Sequence, residues 1–359
     1  MTSPVNNNFF SYLLREKTNL NRLDEREEKE MWRISQDFLY SGFLINSLNF
    51  DELNFKLFEK LERHNKAFFI NYLIMKKSLV EITKKFNKEK ICFVVLKGMA
   101  LNLEKVFSPG VRQHRDIDLL VKKEDIGRAY KILRKLKFRY DNPETSDNAD
   151  FLLKHHLPPM RNEFGILLEL HWRITDVNSF KKCPLTDSFF ENKKESKLIN
   201  GVFIPNLNCL IAHTLYHGIK HHKHSHGPIF LFDLSAIYRF NANKWPENTI
   251  LIEKLGLQVE FEKCKKIILA THRVNKFSNE VRNLIKEILS GFDWKIEKKK
   301  KIKISSFYNK NKPLIEIIKK PFLEKLSITS HLYQLPKNSF KYWFYFLRDL
   351  SKSLKKISL

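Results

Sequence analysis

The chain has few of the residues that mark secreted, disulfide-stabilised or membrane-spanning proteins. Its 359 residues include four cysteines, whose wide spacing matches no zinc site: Cys92, Cys183, Cys209 and Cys264. No stretch of about 18 apolar residues runs without a charge, so the sequence predicts no membrane-spanning helix. The first residues have neither the basic start nor the apolar stretch of a secretory signal. We therefore expect a cytoplasmic protein with reduced thiols.

Acidic residues are fewer than basic ones. The sequence has 65 Lys and Arg against 40 Asp and Glu, which leaves a formal net charge of +25 at pH 7. An excess of positive charge favours partners that carry phosphate, because their binding releases counterions. A nucleotide is one such partner and a nucleic acid is another, and the charge alone does not separate them.

Glycine and proline are also scarce, at 10 and 12 residues, which leaves long stretches without helix breakers. In the first part of the chain apolar residues recur at three- and four-residue steps, and Glu62 to Lys88 predicts one long amphipathic helix. From about residue 205 the pattern is again mostly helical. The last part, residues 340–356, predicts an aromatic and basic helix that packs on the protein, with contact to a membrane surface as the alternative.

Short β-branched and aromatic runs replace the helical pattern in between. Ile91 to Leu96 and Asp116 to Val121 predict two strands, separated by a short helix and a Ser-Pro-Gly turn. Phe138 to Tyr140 predicts another strand, and Phe151 to His156 with Ile166 to Ile174 predict a hairpin. The expected fold class is therefore α+β, with a small mixed sheet between helical regions at both ends of the chain.

Four regions follow from this pattern, in chain order: an N-terminal helical region at 1–90, an α/β core at 91–175, a helical domain completing the cleft at 176–294, and a basic, aromatic helical segment at 295–359.

Acidic side chains interrupt two of the apolar strands. Asp116 and Asp118 are two residues apart on a strand and so point to the same face, where a divalent cation such as Mg²⁺ or Mn²⁺ would balance them. Glu169 lies inside a later strand and joins them if the two strands are neighbours. Three acids at one point suit metal-assisted displacement at phosphorus, with Glu169 as a candidate proton acceptor. We expect His171 and Trp172 to pack beside this site without acting in it.

Basic and flexible residues precede the acidic strand. Lys97 and Gly98 follow the first strand, where glycine lets the backbone approach a phosphate and the lysine supplies a positive charge. Arg112 lies four residues before Asp116 and offers a bidentate grip on a phosphate. These three residues are the predicted contacts for the nucleotide.

The ordered segments LKGMALNLEKVF, SPGVRQHRDIDLLV and LLELHWRI resemble the uncharacterised nucleotidyltransferase-like proteins of the polymerase-β type superfamily. Helical segments on both sides, including HTLYHGIKHH and LFDLSAIYRF, extend the resemblance over about residues 50–240. The resemblance implies transfer of an NMP group from an NTP to an acceptor hydroxyl, with release of pyrophosphate. It also implies metal binding by Asp116, Asp118 and Glu169 and phosphate contact by the Lys97-Gly98 turn.

One departure keeps alternatives open. The wider superfamily usually has Gly-Ser at the first turn, with the serine touching the triphosphate, whereas Gly98 is followed here by Met99. One alternative is a nucleotidyltransferase toxin acting on tRNA or other RNA, and another is a module that binds nucleotide or nucleic acid with little catalysis. The acceptor is not identified by the sequence and is a small molecule, a peptide, a protein or RNA.

A histidine-rich stretch lies outside these motifs. His213, His217 and His221 are four residues apart and share one helix face, which we expect to line the substrate cleft. A metal site within residues 213–226 is the alternative. Asp233, on an apolar helix, is expected to hydrogen-bond or form an ion pair within the core.

Overall fold

The structure is a computed structural model of the chain. It describes residues 25–37, 39–47, 55–142, 155–175, 184–221, 228–245, 249–273 and 278–288. All of them belong to the first of two compact units, Met1–Lys299 and Lys300–Leu359. The predicted C-terminal aromatic helix, and the question of its membrane contact, lie outside the described residues. Within the described part, no helix is both long and apolar enough to cross a bilayer.

In the described residues, the N-terminal part contains the helices α1 (Glu25–Asp37), α2 (Ser41–Ser47) and α3 (Phe55–Lys88). The single long helix predicted from apolar periodicity is confirmed, although it begins at Phe55 instead of Glu62. Its apolar side is fully buried at Leu61, Leu79 and Phe86. Its solvated side carries charged pairs one turn apart, such as Glu62 with Lys66 at 2.9 Å.

Five strands form a mixed sheet in the order β1-β2-β5-β4-β3. They are β1 (Phe93–Val95), β2 (Asp116–Val121), β3 (Arg139–Tyr140), β4 (Met160–Arg161) and β5 (Leu167–His171). β2 and β5 run parallel, and the other three pairs are antiparallel. Helix α4 (Lys97–Leu103) connects β1 to β2, and α5 (Ile126–Lys135) leads from β2 towards β3. The predicted fold class is confirmed.

The predicted hairpin is correct in pairing direction, and pairing with β5 continues beyond the predicted end of its first strand at His156. The partner of β5 is Met160–Arg161, which the sequence had suggested to be the connection, whereas His156 makes only one isolated bridge to His171. The turn is tighter than expected because the Asn162 side chain accepts hydrogen bonds from two backbone N–H groups that follow it. Gly165, with φ +80°, supplies the left-handed residue that this turn needs. Residues 151–154 lie outside the described part.

The core lies around β2. Its residues from Ile117 to Val121 are all buried, as are all three residues of β1, which is typical of strands covered on both faces. Helices α3 and α4 both contact β2. The first strand position, Asp116, is the one partly exposed residue of β2. Both acidic residues of β2, Asp116 and Asp118, therefore lie in the first half of a buried strand.

Helices and one hairpin follow the sheet. They are α6 (Pro184–Glu191), the antiparallel pair β6 (Lys193–Glu195) and β7 (Phe203–Pro205), α7 (Leu207–Leu215), α8 (Ile229–Phe240), α9 (Ile250–Lys254), α10 (Gln258–Arg273) and α11 (Asn279–Ile288). Asn206 caps α7 by accepting a hydrogen bond from Cys209 N at 3.0 Å. A π-helical turn, Tyr216–His221, continues α7. Of the cysteines that the structure describes, Cys92, Cys209 and Cys264 are free thiols.

Candidate active site

Two carboxylates face each other across the parallel pair of strands β2 and β5. Asp118 lies directly opposite Glu169 in the register, and Asp116 lies opposite Leu167. Side chains at matching positions of neighbouring strands point to the same face of a sheet. Asp118 is only 1% exposed. Two acids that are far apart in sequence therefore meet in the interior, as the sequence analysis expected.

A lysine ammonium lies between these two carboxylates. Lys97 Nζ is 2.7 Å from Asp118 Oδ1 and 3.2 Å from Glu169 Oε2. Burial alone would lower the pKa of Lys97, but the charges of Asp118 and Glu169 outweigh it and raise that pKa. Lys97 therefore stays protonated and contributes a positive charge to the site.

The backbone at Lys97 is also distinctive. Its φ of +50° falls in the left-handed region, which is uncommon for a residue with a side chain. Leu96 N, one residue earlier, donates to Asp118 O at 2.9 Å and ties the start of α4 to β2. The fold thus holds the lysine backbone beside the acidic strand at some conformational cost.

His171 completes the cluster and was missed as a site residue by the sequence analysis. Its Nε2 donates to Asp118 Oδ1 at 2.9 Å and lies 3.4 Å from Glu169 Oε2. Burial opposes the charged imidazolium, but the bonds to Asp118 and Glu169 raise the pKa of His171. The signal was present, because His171 follows Glu169 by two residues on one strand and so shares its face.

Asp116 belongs to the same electrostatic environment. Burial and the Asp118 charge raise its pKa and the Lys97 charge lowers it, with a net increase to about 7. Glu169 responds in the opposite direction. Burial would raise the pKa of Glu169, but the hydrogen bond from His171 and the charge of Lys97 hold it far below its usual range. Glu169 is therefore ionised and Asp116 titrates near neutral pH.

Gly98 permits a close approach of α4 to the loop before β2. A Cβ atom at this buried position would lie 3.0 Å from the Cβ of His114, which is tighter than ordinary contact. Packing against His114 is the contact seen here, and the predicted approach of a phosphate to Gly98 stays a prediction.

Arg112 is engaged in a buried bidentate ion pair. Its Nε is 2.7 Å from Asp233 Oδ1, its Nη2 is 3.0 Å from Asp233 Oδ2, and its Nη1 donates to Gln113 O at 2.5 Å. The expectation that Asp233 forms an ion pair in the core is confirmed. The guanidinium thus faces α8, and its predicted contact with a phosphate, which stays a prediction, would require this pair to open.

Other contacts clamp the same loop, residues 108–115, from the N-terminal side. Gln113 Nε2 donates to Ser41 Oγ at 2.7 Å and to Asn65 Oδ1 at 2.9 Å. Asn102 Nδ2 donates to Arg112 O at 3.2 Å. Helices α2, α3, α4 and α8 therefore all fix the segment that leads into Asp116.

The histidines of α7 and of the π-helical turn after it contact the acidic cluster through the ring of His155. The rings of His213, His217 and His221 follow each other at centroid distances of 5.7 and 5.4 Å. His221 then contacts His155 at 4.8 Å, and His155 contacts His171 at 5.2 Å. Ring contacts thus connect this face to His171 of the acidic cluster, and the expectation that it lines a substrate cleft stays a prediction.

One group of described side chains offers converging metal ligands. The ligand atoms of Asp118, Glu169 and His171 all lie within 4.8 Å of one another. Two carboxylates and one imidazole, with Asp116 at the edge, fit a divalent cation such as Mg²⁺ or Mn²⁺. The fit carries two conditions. The Lys97 ammonium already contacts both carboxylates, and His171 Nε2, which donates to Asp118 Oδ1, can bind a cation only after it loses its proton.

A match to a family model shows the family to which the chain belongs. The model of the family described as uncharacterised nucleotidyltransferases matches residues 30–268. The chain belongs to that family. It is also similar to the solved structure of an antigenic nucleotidyltransferase-like protein from Paracoccidioides brasiliensis, with 15% identity, a TM-score of 0.37, and coverage of 59% of this chain and 91% of that one. No curated protein matches the sequence significantly.

Proposed function

We propose that the chain transfers a nucleoside monophosphate from an NTP to a hydroxyl group of an acceptor and releases pyrophosphate. The observation that carries this proposal is the pairing of Asp118 with Glu169 across parallel strands, with Lys97 between them. Membership of a nucleotidyltransferase family supports the general role.

Each residue of the site has its own role in the proposed reaction. A divalent cation, Mg²⁺ or Mn²⁺, held by Asp116, Asp118 and Glu169 would supply neutralisation of charge on the triphosphate. Lys97 attracts the phosphates and orients the nucleotide. Glu169 is the candidate acceptor for the proton of the acceptor hydroxyl, through an oxygen that does not hold the cation. It can take that proton only once the His171 hydrogen bond and the Lys97 charge no longer lower its pKa.

The stable position of the carboxylates follows from the fold. Asp118 receives hydrogen bonds from Lys97 and His171, and its backbone carbonyl accepts from Leu96 N. Such preorganised groups stabilise developing charge without reorganising during the reaction.

The test is transfer of label from each α-³²P NTP, with Mg²⁺ or Mn²⁺ and a cell extract as the source of acceptors. We expect Asp118→Ala to lower transfer by about a hundredfold or more. The fold should survive, because Glu169 still forms an ion pair with Lys97, and circular dichroism checks this. Asp187→Ala, an exposed aspartate on α6, is the control that keeps full transfer.

The outcomes separate the candidate functions. Full transfer by Asp118→Ala would show that the site assignment is wrong. Labelling of RNA in the extract would identify an RNA-directed transferase. Binding of an NTP without labelling of any acceptor would favour a binding module with little catalysis.

A further inference from the structure

The cation that already balances the acidic cluster belongs to the protein itself. Lys97 Nζ contacts Asp118 Oδ1 at 2.7 Å and Glu169 Oε2 at 3.2 Å, and its side chain is only 17% exposed. Asp118 Oδ1 also accepts from His171 Nε2 at 2.9 Å. One oxygen of each carboxylate, Asp118 Oδ1 and Glu169 Oε2, is therefore already in contact with an N–H donor.

An ammonium group and a divalent cation cannot both bind these oxygens closely. Two like charges a few ångströms apart in a partly dehydrated site repel strongly. The oxygen atoms also have a limited number of lone pairs, and Lys97 and His171 use those of Asp118 Oδ1. Metal binding at these two oxygens consequently requires Lys97 to find another anionic partner.

The fold lets the lysine side chain move while its backbone stays in place. Leu96 N is hydrogen-bonded to Asp118 O, so the chain before Lys97 is fixed to β2. The side chain of lysine is a flexible four-carbon stem with a point charge at its end. It can exchange carboxylates for the phosphates of an incoming nucleotide without a change in the fold.

We infer that Lys97 is a built-in counter-ion that keeps divalent cations out of the site until a nucleoside triphosphate arrives. The triphosphate attracts the Lys97 ammonium and so releases Asp118 and Glu169 to the metal. Metal and nucleotide therefore bind cooperatively and not independently. This inference rests on the proposed function for the identity of the second ligand.

The experiment measures binding of Mn²⁺ by calorimetry in the full chain. We compare Mn²⁺ alone with Mn²⁺ in the presence of the α,β-methylene analogues of ATP, GTP, CTP and UTP, which cannot be turned over at the α-phosphate. In the wild type, at least one analogue should strengthen Mn²⁺ binding by about tenfold or more, after subtraction of Mn²⁺ binding to the free analogue measured without protein. Reciprocally, Mn²⁺ should strengthen binding of that analogue by the same factor.

The variant Lys97→Met removes the charge but keeps the length of the side chain. It should bind Mn²⁺ alone about tenfold or more tightly than the wild type, and it should lose the cooperativity with nucleotide. The control is Lys131→Met, which removes the same charge from the exposed face of α5 and should behave as the wild type. If Lys97→Met is unstable on its own, its melting temperature should rise on addition of Mn²⁺ more than that of the wild type.

Each result decides the inference. Equal Mn²⁺ affinity in Lys97→Met and the wild type, unaffected by all four analogues, would overturn it. In that case the proposed function still stands if Asp118→Ala loses transfer. Absence of Mn²⁺ binding in both proteins would overturn the inference together with the metal dependence of the proposed reaction.

Discussion

Replacing Asp233 by asparagine should destabilise the protein much more than the same replacement in an exposed pair of equal geometry. Arg112 and Asp233 form a bidentate pair with side chains 12% and 6% exposed. Burial raises the pKa of Asp233 even though Arg112 lowers it, so the pair itself contributes little net stability. Breaking it is nevertheless costly, because the Arg112 charge is left buried without a partner. The expected loss is about 3–5 kcal/mol.

The chain contains a matched control for this prediction. Arg161 and Asp141 form the same bidentate arrangement at 2.6 and 3.1 Å, but their side chains are 40% and 45% exposed. Water solvates an exposed charge that loses its partner, so Asp141→Asn should cost at most about 1 kcal/mol. Asparagine matches aspartate in volume, which excludes a cavity as the cause of any difference.

Urea unfolding followed by circular dichroism measures the difference as a shift of the transition midpoint. The double variant Arg112→Met with Asp233→Leu should recover most of the loss, because it leaves no buried charge unpaired. Similar small shifts for Asp233→Asn and Asp141→Asn would refute the reasoning, and so would a double variant less stable than Asp233→Asn.

Two further predictions concern stability. A Cβ atom at Gly42 would lie closer than 3.0 Å to backbone carbonyl oxygens of the 108–115 loop, so Gly42→Ala should lower the free energy of unfolding in urea by about 1–3 kcal/mol. The control is Gly127→Ala, at a helical position with nothing within 4 Å of the added atom, which should not destabilise the protein. Burial and a neighbouring carboxylate raise the pKa of Asp116 from 3.8 to about 7, so its ionisation weakens the metal-free fold as pH rises through that interval. The urea midpoint of Asp116→Asn should therefore rise relative to that of the wild type as pH increases from about 4 to about 8. A difference between the two midpoints that does not change with pH would contradict this account.

Local pattern was sufficient for most of the elements. Strand β2 begins and ends at the residues predicted from its apolar run, and α3 is one helix as its periodicity indicated. Strand β4 was predicted to be part of a connection, and the reason is local. Met160 is fully buried and pairs with Leu168. Two residues later, the Asn162 side chain accepts a backbone hydrogen bond within the turn. Because the segment is rich in polar residues, its sequence predicts a connection and not a strand.

Local pattern also predicted part of the candidate site. The period of two along a strand places Asp116 with Asp118, and it would also have placed His171 with Glu169. The roles of Lys97 and Arg112 were harder to read, because both are basic residues near an acidic strand. The sequence does not show which acid each one meets.

The sequence by itself determined the secondary structure around the site and the identity of the acids, since these depend on contacts between residues near each other in the chain. Only the tertiary structure decided the partners: Lys97 with Asp118 and Glu169, and Arg112 with Asp233, 121 positions away. The physical reason is that burial makes an unpaired charge costly. Which opposite charge lies within reach is decided by strand register and helix packing, and neither is encoded in local periodicity.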